Sequence, residues 1–352
     1  MSNRHLVVGI AVEDEVRIET SYLMETKLSE IVKPAPFPLP MGRRAPAIER
    51  IIKPFLASLN NAHPGERVAA VIVSSLGTTD EARQVVKRIG RASWDKEPEL
   101  PYGQWIRDSG AIGITNDTII QVVNDATAAC LAEITGSKNT DLWGPGATDD
   151  DLYAYVRVRE GVNVAICEGK KPLQGKLHSE FGHIYTPLHQ SDLAIGLMEY
   201  GCSKHDACLE GLISNKGFEN WYDLLMKRPK GSPKLNALEI IERSVLADDR
   251  LVHYVSHCCL ALLLLLSPRR IFLDGDVFEQ ERIDAIRKHL DDELLRGHVE
   301  YAALAGKDFL KKATVPAEQA SLAGAFEFAR NLLFKGKSEG PAAPPEPEAT
   351  RH

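Results

Sequence analysis

No stretch of this 352-residue chain reads as a membrane anchor or a secretory leader. The longest uninterrupted apolar run, Cys258 to Leu266, falls far short of the ~20 residues that span a bilayer. It reads as a buried core helix. Residues 1–20 lack a long apolar core and carry Glu13, Asp14 and Glu15, which excludes a signal peptide. Positive charge is also short. Lys and Arg number 42 against 49 Asp and Glu, a net charge of −7, so a general nucleic-acid surface is not expected. Walker-type and dinucleotide-type glycine signatures are absent. Cysteines number only six. Without an export signal they imply a reducing cytoplasm, where metal ligation is a better expectation than disulfides.

What is present is an ordinary globular balance, 44% hydrophobic and 26% charged, at a length that suits two domains or two lobes of one fold. Buried-strand runs fall at Leu6 to Val12, Val68 to Val73, Ile119 to Val123 and Ile271 to Leu273. Val16 to Tyr22 alternates and pairs with the first run as a hairpin; Leu152 to Val158 and Gly161 to Cys167 form a second. Helical spacing covers Ile48 to Leu59 (with a kink expected at Pro54), Ala126 to Ile134, Ala237 to Ala247, Val252 to Leu266 and Ala317 to Leu333. Residues 91–112 show no clean period and are expected to be an excursion, and the tail from Gly336 onward is expected to be disordered. Strand–helix alternation in both halves points to an α/β protein with mixed sheets and a ligand cleft between the halves.

Two constellations carry chemistry. The segment Gly201 to Gly211 (GCSKHDACLEG) holds Cys202, His205 and Cys208, and His183 lies upstream in Phe181-Gly182-His183. Two thiolates and two imidazoles complete a tetrahedral set, and soft sulfur favours zinc. With no open position such a site is structural rather than hydrolytic. The second constellation is the strand Ile119 to Val123 running into Asn124-Asp125 and the small-residue helix ATAACLAE. Asn124-Asp125 reads on its own as a plain helix cap. It also puts a carboxylate at a strand end beside a helix N-terminus, where its charge is stabilised.

The stretch His178 to Ser214, with its Glu-x-Gly-His segment and Cys-x2-His-x2-Cys-Leu-Glu-Gly loop, resembles the repressor/open-reading-frame/kinase (ROK) family, specifically its zinc-containing fructokinase-like branch. Asn124 to Ala129 is similar to that family's Asn-Asp-Ala-x-Ala-Ala motif. The resemblance runs from the first strand to Leu333. It implies a two-lobed actin-like/hexokinase-like (ribonuclease H-like) fold with central mixed sheets. The first lobe would span 1–122, with helix 317–333 packing back on it; the second would span 123–316, with the zinc loop at 183–208, and 336–352 would form the tail. It implies Asp125 as general base for phosphoryl transfer to a sugar hydroxyl. Asn124, Glu180, His183 and Glu210 would hold the sugar; His183, Cys202, His205 and Cys208 would hold structural Zn²⁺. ATP with Mg²⁺ would be the donor, and the chain would be a cytoplasmic homodimer. The family's repressors carry an N-terminal helix-turn-helix; this sequence opens on its first strand, so neither DNA nor membrane is an expected partner.

The donor side departs from the family pattern. The first phosphate loop, Gly-x-Asp-x-Gly-Gly-Thr, is replaced by Gly9-Ile10-Ala11-Val12-Glu13-Asp14-Glu15. The second, Gly-Thr-Gly-Ile-Gly-Gly-Gly, is replaced by Arg159-Glu160-Gly161-Val162-Asn163-Val164-Ala165, and a third glycine turn by Asp274-Gly275-Asp276. Gly9, Arg159, Gly161 and Gly275 are what remains for a nucleotide. Three readings therefore stand side by side: an active carbohydrate kinase, a sugar-binding pseudokinase, and an ATP-independent reaction on a sugar-like substrate.

Overall fold

A computed structural model describes residues 4–24, 35–40, 44–88, 99–136, 139, 142, 147–177, 181–194, 207–296, 300–301, 305–306 and 308–334. The expected tail from Gly336 lies outside them. Strands are β1 (His5–Val12), β2 (Glu15–Leu23), β3 (Phe37–Pro38), β4 (Val68–Ser75), β5 (Thr78–Asp80), β6 (Val85–Arg88), β7 (Ile119–Asn124), β8 (Leu152–Val158), β9 (Val162–Glu168), β10 (Lys171–Pro172), β11 (Arg270–Asp274) and β12 (Leu310–Lys312). Helices are α1 (Arg44–Ala62), α2 (Tyr102–Arg107), α3 (Asp125–Thr135), α4 (Gln190–Ala194), α5 (Leu209–Ile213), α6 (Asn215–Leu225), α7 (Ala237–Arg243), α8 (Val245–Leu266), α9 (Gln280–His289) and α10 (Ala317–Phe334).

Two five-stranded mixed sheets, ordered β3-β2-β1-β4-β7 and β10-β9-β8-β11-β12, form the centre. Both use one connectivity. An antiparallel hairpin (β1–β2, β8–β9) is followed by two strands that extend the sheet in parallel from the hairpin's first strand. The halves thus repeat a fold without repeating a sequence. Both faces of each sheet are covered, which is why β1 and β4 read as continuous apolar runs rather than as alternation. In β1, Leu6, Val8, Ile10 and Val12 join the core under α1 and α2, while Val7 and Ala11 join the core under α10. In β8, Ala154, Val156 and Val158 face the second lobe's core, and Tyr153 and Tyr155 face the opposite way, toward α3.

Helices α3 and α10 each follow the last strand of a sheet and pack on each other between the sheets. Small residues allow this. A Cβ on Gly324 would stand 1.7 Å from the Ala128 carbonyl oxygen, so the two helices meet backbone to backbone.

The structure corrects several local expectations. A short helix, α2, occupies part of the segment read as irregular; its side chains Tyr102, Trp105 and Ile106 are core. The expected helix Ala237 to Ala247 ends at Arg243, because the Ser244 side chain accepts a hydrogen bond from Ala247 N and starts α8 there. So enlarged, α8 is long and apolar enough by composition to cross a membrane, yet it threads the second lobe's core and buries Arg250 in an ion pair with Asp192.

Candidate functional site

β7 delivers Asn124 and Asp125 to the crevice between the sheets. Asn124 is the N-cap of α3: its Oδ1 accepts from Ala126 N at 3.0 Å and from Asn163 Nδ2 at 3.0 Å, while its Nδ2 donates to the Gly77 carbonyl at 3.2 Å. The residue therefore ties the helix start to the turn after β4 and to β9 of the second hairpin. Asp125, in the first turn of α3, is 3% exposed, and its Oδ2 lies 2.9 Å from Nη1 of Arg157.

Arg157 was not singled out from the sequence, and it organises the site. It projects from β8 on the face shared with Tyr153 and Tyr155. Its Nε donates to Asp274 Oδ2 at 2.8 Å, and Nη1 also reaches Glu13 Oε1 at 3.4 Å. Arg159 donates to Asp274 Oδ1 at 3.1 Å, and Ser321 Oγ bonds Glu13. Glu13 sits in the β1–β2 turn, Arg159 just beyond β8 in the β8–β9 turn, and Asp274 at the end of β11. The three places where glycine loops are replaced thus converge on one another and on Asp125. Burial opposes the charge on Arg157, but Tyr155, Asp274, Asp125 and Glu13 outweigh it and hold the guanidinium protonated. Burial would likewise raise the Asp274 carboxyl, and Arg157 and Arg159 outweigh that and hold it below its ordinary value.

Not every donor is used. Nη2 of Arg157 and Nε of Arg159 are buried with no hydrogen-bond partner among the described residues. A buried unsatisfied guanidinium N–H is costly, and an anion bound there would satisfy it. The depressed Asp274 carboxyl sets a sign. A group whose native value is lowered adds stability above its unfolded value of about 3.9, lost as pH falls through the native value. Asp274→Asn should therefore lower stability by about 1–3 kcal/mol at neutral pH. The gap between wild type and variant should close below about pH 4; thermal melts at a series of pH values measure it, and a pH-independent gap would contradict the assignment.

The glycines proposed for a nucleotide divide. Gly9 lies inside β1, paired with Glu19 and Ile72, and a Cβ there would stand 2.9 Å from Leu322 Cδ1 of α10. It is a packing glycine under a helix. Gly161 closes the second hairpin turn, just before β9, where a Cβ would stand 2.8 Å from Glu210 Oε2. Gly275 adopts φ +149° and brings the backbone within reach of the Val158 carbonyl, closing the turn that carries Asp274.

On the other side of Gly161 stand the residues expected to hold sugar and zinc. Glu210, in the first turn of α5, accepts from Val162 N at 3.2 Å. His183 sits in a 3₁₀ turn, Phe181–His183. Its Nδ1 is 3.6 Å from Sγ of Cys208, whose backbone bridges Tyr185. Zn–S of ~2.3 Å and Zn–N of ~2.0–2.1 Å at a tetrahedral angle require an S···N separation of about 3.6 Å. His183 and Cys208 fit that requirement. Glu180, Cys202 and His205 lie outside the described residues.

Two sheets of one connectivity, clasped by a helix pair and meeting at a buried carboxylate, define the two-lobed hexokinase-like class. The ROK hexokinase of Thermus thermophilus is similar over 94% of this chain and 99% of its own, with a TM-score of 0.61 at 19% identity. The glucokinase of Streptomyces griseus, solved with glucose and AMPPNP, is similar over 93% and 99%, with a TM-score of 0.58 at 19% identity. The ROK family profile matches residues 26–331, and the chain belongs to the ROK family. Curated relatives include the fructokinase of Zymomonas mobilis, 27% identical over 60% of this chain and 62% of the relative. The N-acetyl-D-glucosamine kinase of Yersinia enterocolitica is 31% identical over 50% of this chain and 58% of that enzyme. The chain thus spans about three-fifths of the length of these two relatives.

Proposed function

We propose that this chain is a carbohydrate kinase that moves a phosphoryl group from a nucleotide to a hydroxyl of a hexose or sugar-like substrate. Asp125 takes the hydroxyl proton; Asn124, Glu180, His183 and Glu210 hold the ring. The observation that carries the reading is the pair of unpartnered guanidinium nitrogens, Nη2 of Arg157 and Nε of Arg159, gathered where the replaced loops meet, with Arg157 in contact with Asp125. Fixed cations there do what glycine backbones do elsewhere: they meet the donor's phosphates, beside the proton acceptor. Mg²⁺ entering with the nucleotide would neutralise further phosphate charge.

A second reading is favoured by one observation. Arg157 already contacts three carboxylates, Asp125 among them, so the cation and the base neutralise each other. Such a protein binds sugar without transferring phosphate. Calorimetric titration with hexoses and amino sugars, paired with transfer assays from ATP, GTP and polyphosphate, separates the two. Transfer from any donor is expected. Sugar binding with no transfer leaves the second reading, and no sugar binding overturns both.

We also infer that His183, Cys202, His205 and Cys208 hold one structural zinc that braces the sugar side. A structural site contributes folding free energy. Cys208→Ser should lower zinc content and thermal stability together; undiminished zinc in that variant would remove Cys208 from the ligand set.

A further inference from the structure

A second group of metal-ligand side chains lies away from the crevice, and no part of the carbohydrate chemistry uses it. α8 carries Asp249, His253 and His257 at successive i, i+4 positions, hence on one face. His289 ends α9 and faces them. One ring nitrogen from each of His253, His257 and His289 lies within 4.8 Å of the others. The ring centroids of His253 and His257 are 4.3 Å apart, and His289 stands 5.9 and 6.3 Å from them.

The hydrogen bonds decide which nitrogens are available. Nε2 of His253 lies 2.8 Å from the Pro187 carbonyl, and Nδ1 of His257 lies 2.9 Å from the His253 carbonyl. A carbonyl only accepts, so each of those nitrogens carries the proton, and Nδ1 of His253 and Nε2 of His257 keep a lone pair. Pinning one ring nitrogen to a carbonyl so that the other can ligate is how proteins orient metal-binding imidazoles. Nε2 of His289 is buried with no partner among the described residues. His189, by contrast, has both nitrogens engaged, by Ser191 Oγ at 2.7 Å and Asp249 Oδ2 at 3.1 Å, and stands beside His253 as a neighbour rather than a ligand.

Two further features fit an ion. The chain leaves α9 through a π-helical turn, Leu290–Leu294, an uncommon conformation that recurs at functional sites. Asp249 and Glu293 place negative charge near His289, which would offset a cation.

We propose that His253, His257 and His289 form a transition-metal site that takes Zn²⁺, with its fourth position left to water, bracing α8 against α9. Three imidazoles with one open position are a zinc-type set. Tetrahedral ligation needs ligand atoms ~3.3 Å apart, so small ring rotations close the site on the ion. This site is separate from the Cys/His loop and does not depend on it.

The test is zinc stoichiometry on the full chain, stripped with chelator, reloaded and desalted. Wild type should bind about two equivalents, the loop and this site, while Cys208→Ser keeps about one. His257→Gln and His289→Gln should each lose about one equivalent and weaken zinc binding at this site by at least ~10–100-fold. Both should melt in chelator as wild type does, which separates metal loss from misfolding. Cobalt bound to Cys208→Ser should show d–d absorption without thiolate charge transfer, because its ligands are nitrogen. A single equivalent lost in His257→Gln but kept in Cys208→Ser supports this site and removes the loop. The proposal is overturned if His257→Gln and His289→Gln hold as much zinc as wild type, or if Cys208→Ser holds none.

Discussion

Asp125→Asn should cut phosphoryl transfer by ~10²–10⁴-fold, the usual cost of removing a general base. Asparagine keeps the shape of the side chain and still bonds a hydroxyl, so calorimetric sugar affinity should change little. The structure adds a second expectation. Asp125 contacts Arg157 across the crevice, so the substitution also removes one anion from a five-member charge cluster. Arg157 keeps Glu13 and Asp274, so the variant should fold. Equal loss of sugar affinity and of rate would mean that Asp125 holds the ring instead of taking a proton. Undiminished transfer would end its role as base.

Arg157→Met should be the most destabilising single change at the site. The side chain is buried, and its removal takes from Glu13, Asp125 and Asp274 the cation they share. Breaking a buried ion pair by deleting one partner costs about 3–5 kcal/mol. The defect should shrink as pH falls, because protonation relieves the stranded carboxylates. Arg157→Lys should recover part of the stability but less of the activity, since one ammonium cannot match a planar fork that bonds two carboxylates at once. Calorimetric melts and transfer rates on the same samples measure both. Wild-type stability in Arg157→Met would show that the cluster is not structural.

Much of this architecture is legible from local pattern. The first hairpin, the strand into Asn124-Asp125, the alanine-rich helix behind it and the second hairpin all carry their period in a few adjacent residues. His183 and Cys208 are both singled out by the sequence, yet they stand 25 positions apart, and it is the fold that sets Nδ1 and Sγ 3.6 Å from each other. Arg157 is not singled out. It is a single charge between Val156 and Val158 in an otherwise apolar strand, and that oddity was the available signal. Its partners stand 32, 117 and 144 positions away, and local periodicity says nothing of such pairings. The histidine group divides the same way. His253 and His257 show the i, i+4 spacing, but His289 joins them only through the packing of α8 on α9. Gly9 is a related case: a glycine in a family's loop position is, here, the floor on which Leu322 and Phe326 rest.

The repeated connectivity of the two sheets has a mechanical consequence. Glu13 follows β1 of the first sheet and Arg157 lies on β8 of the second, so their ion pair joins the two halves. It acts as a latch. A hinge motion that parted the halves would have to break that ion pair first. An incoming anion that takes over the guanidinium would compete with Glu13 and release the latch.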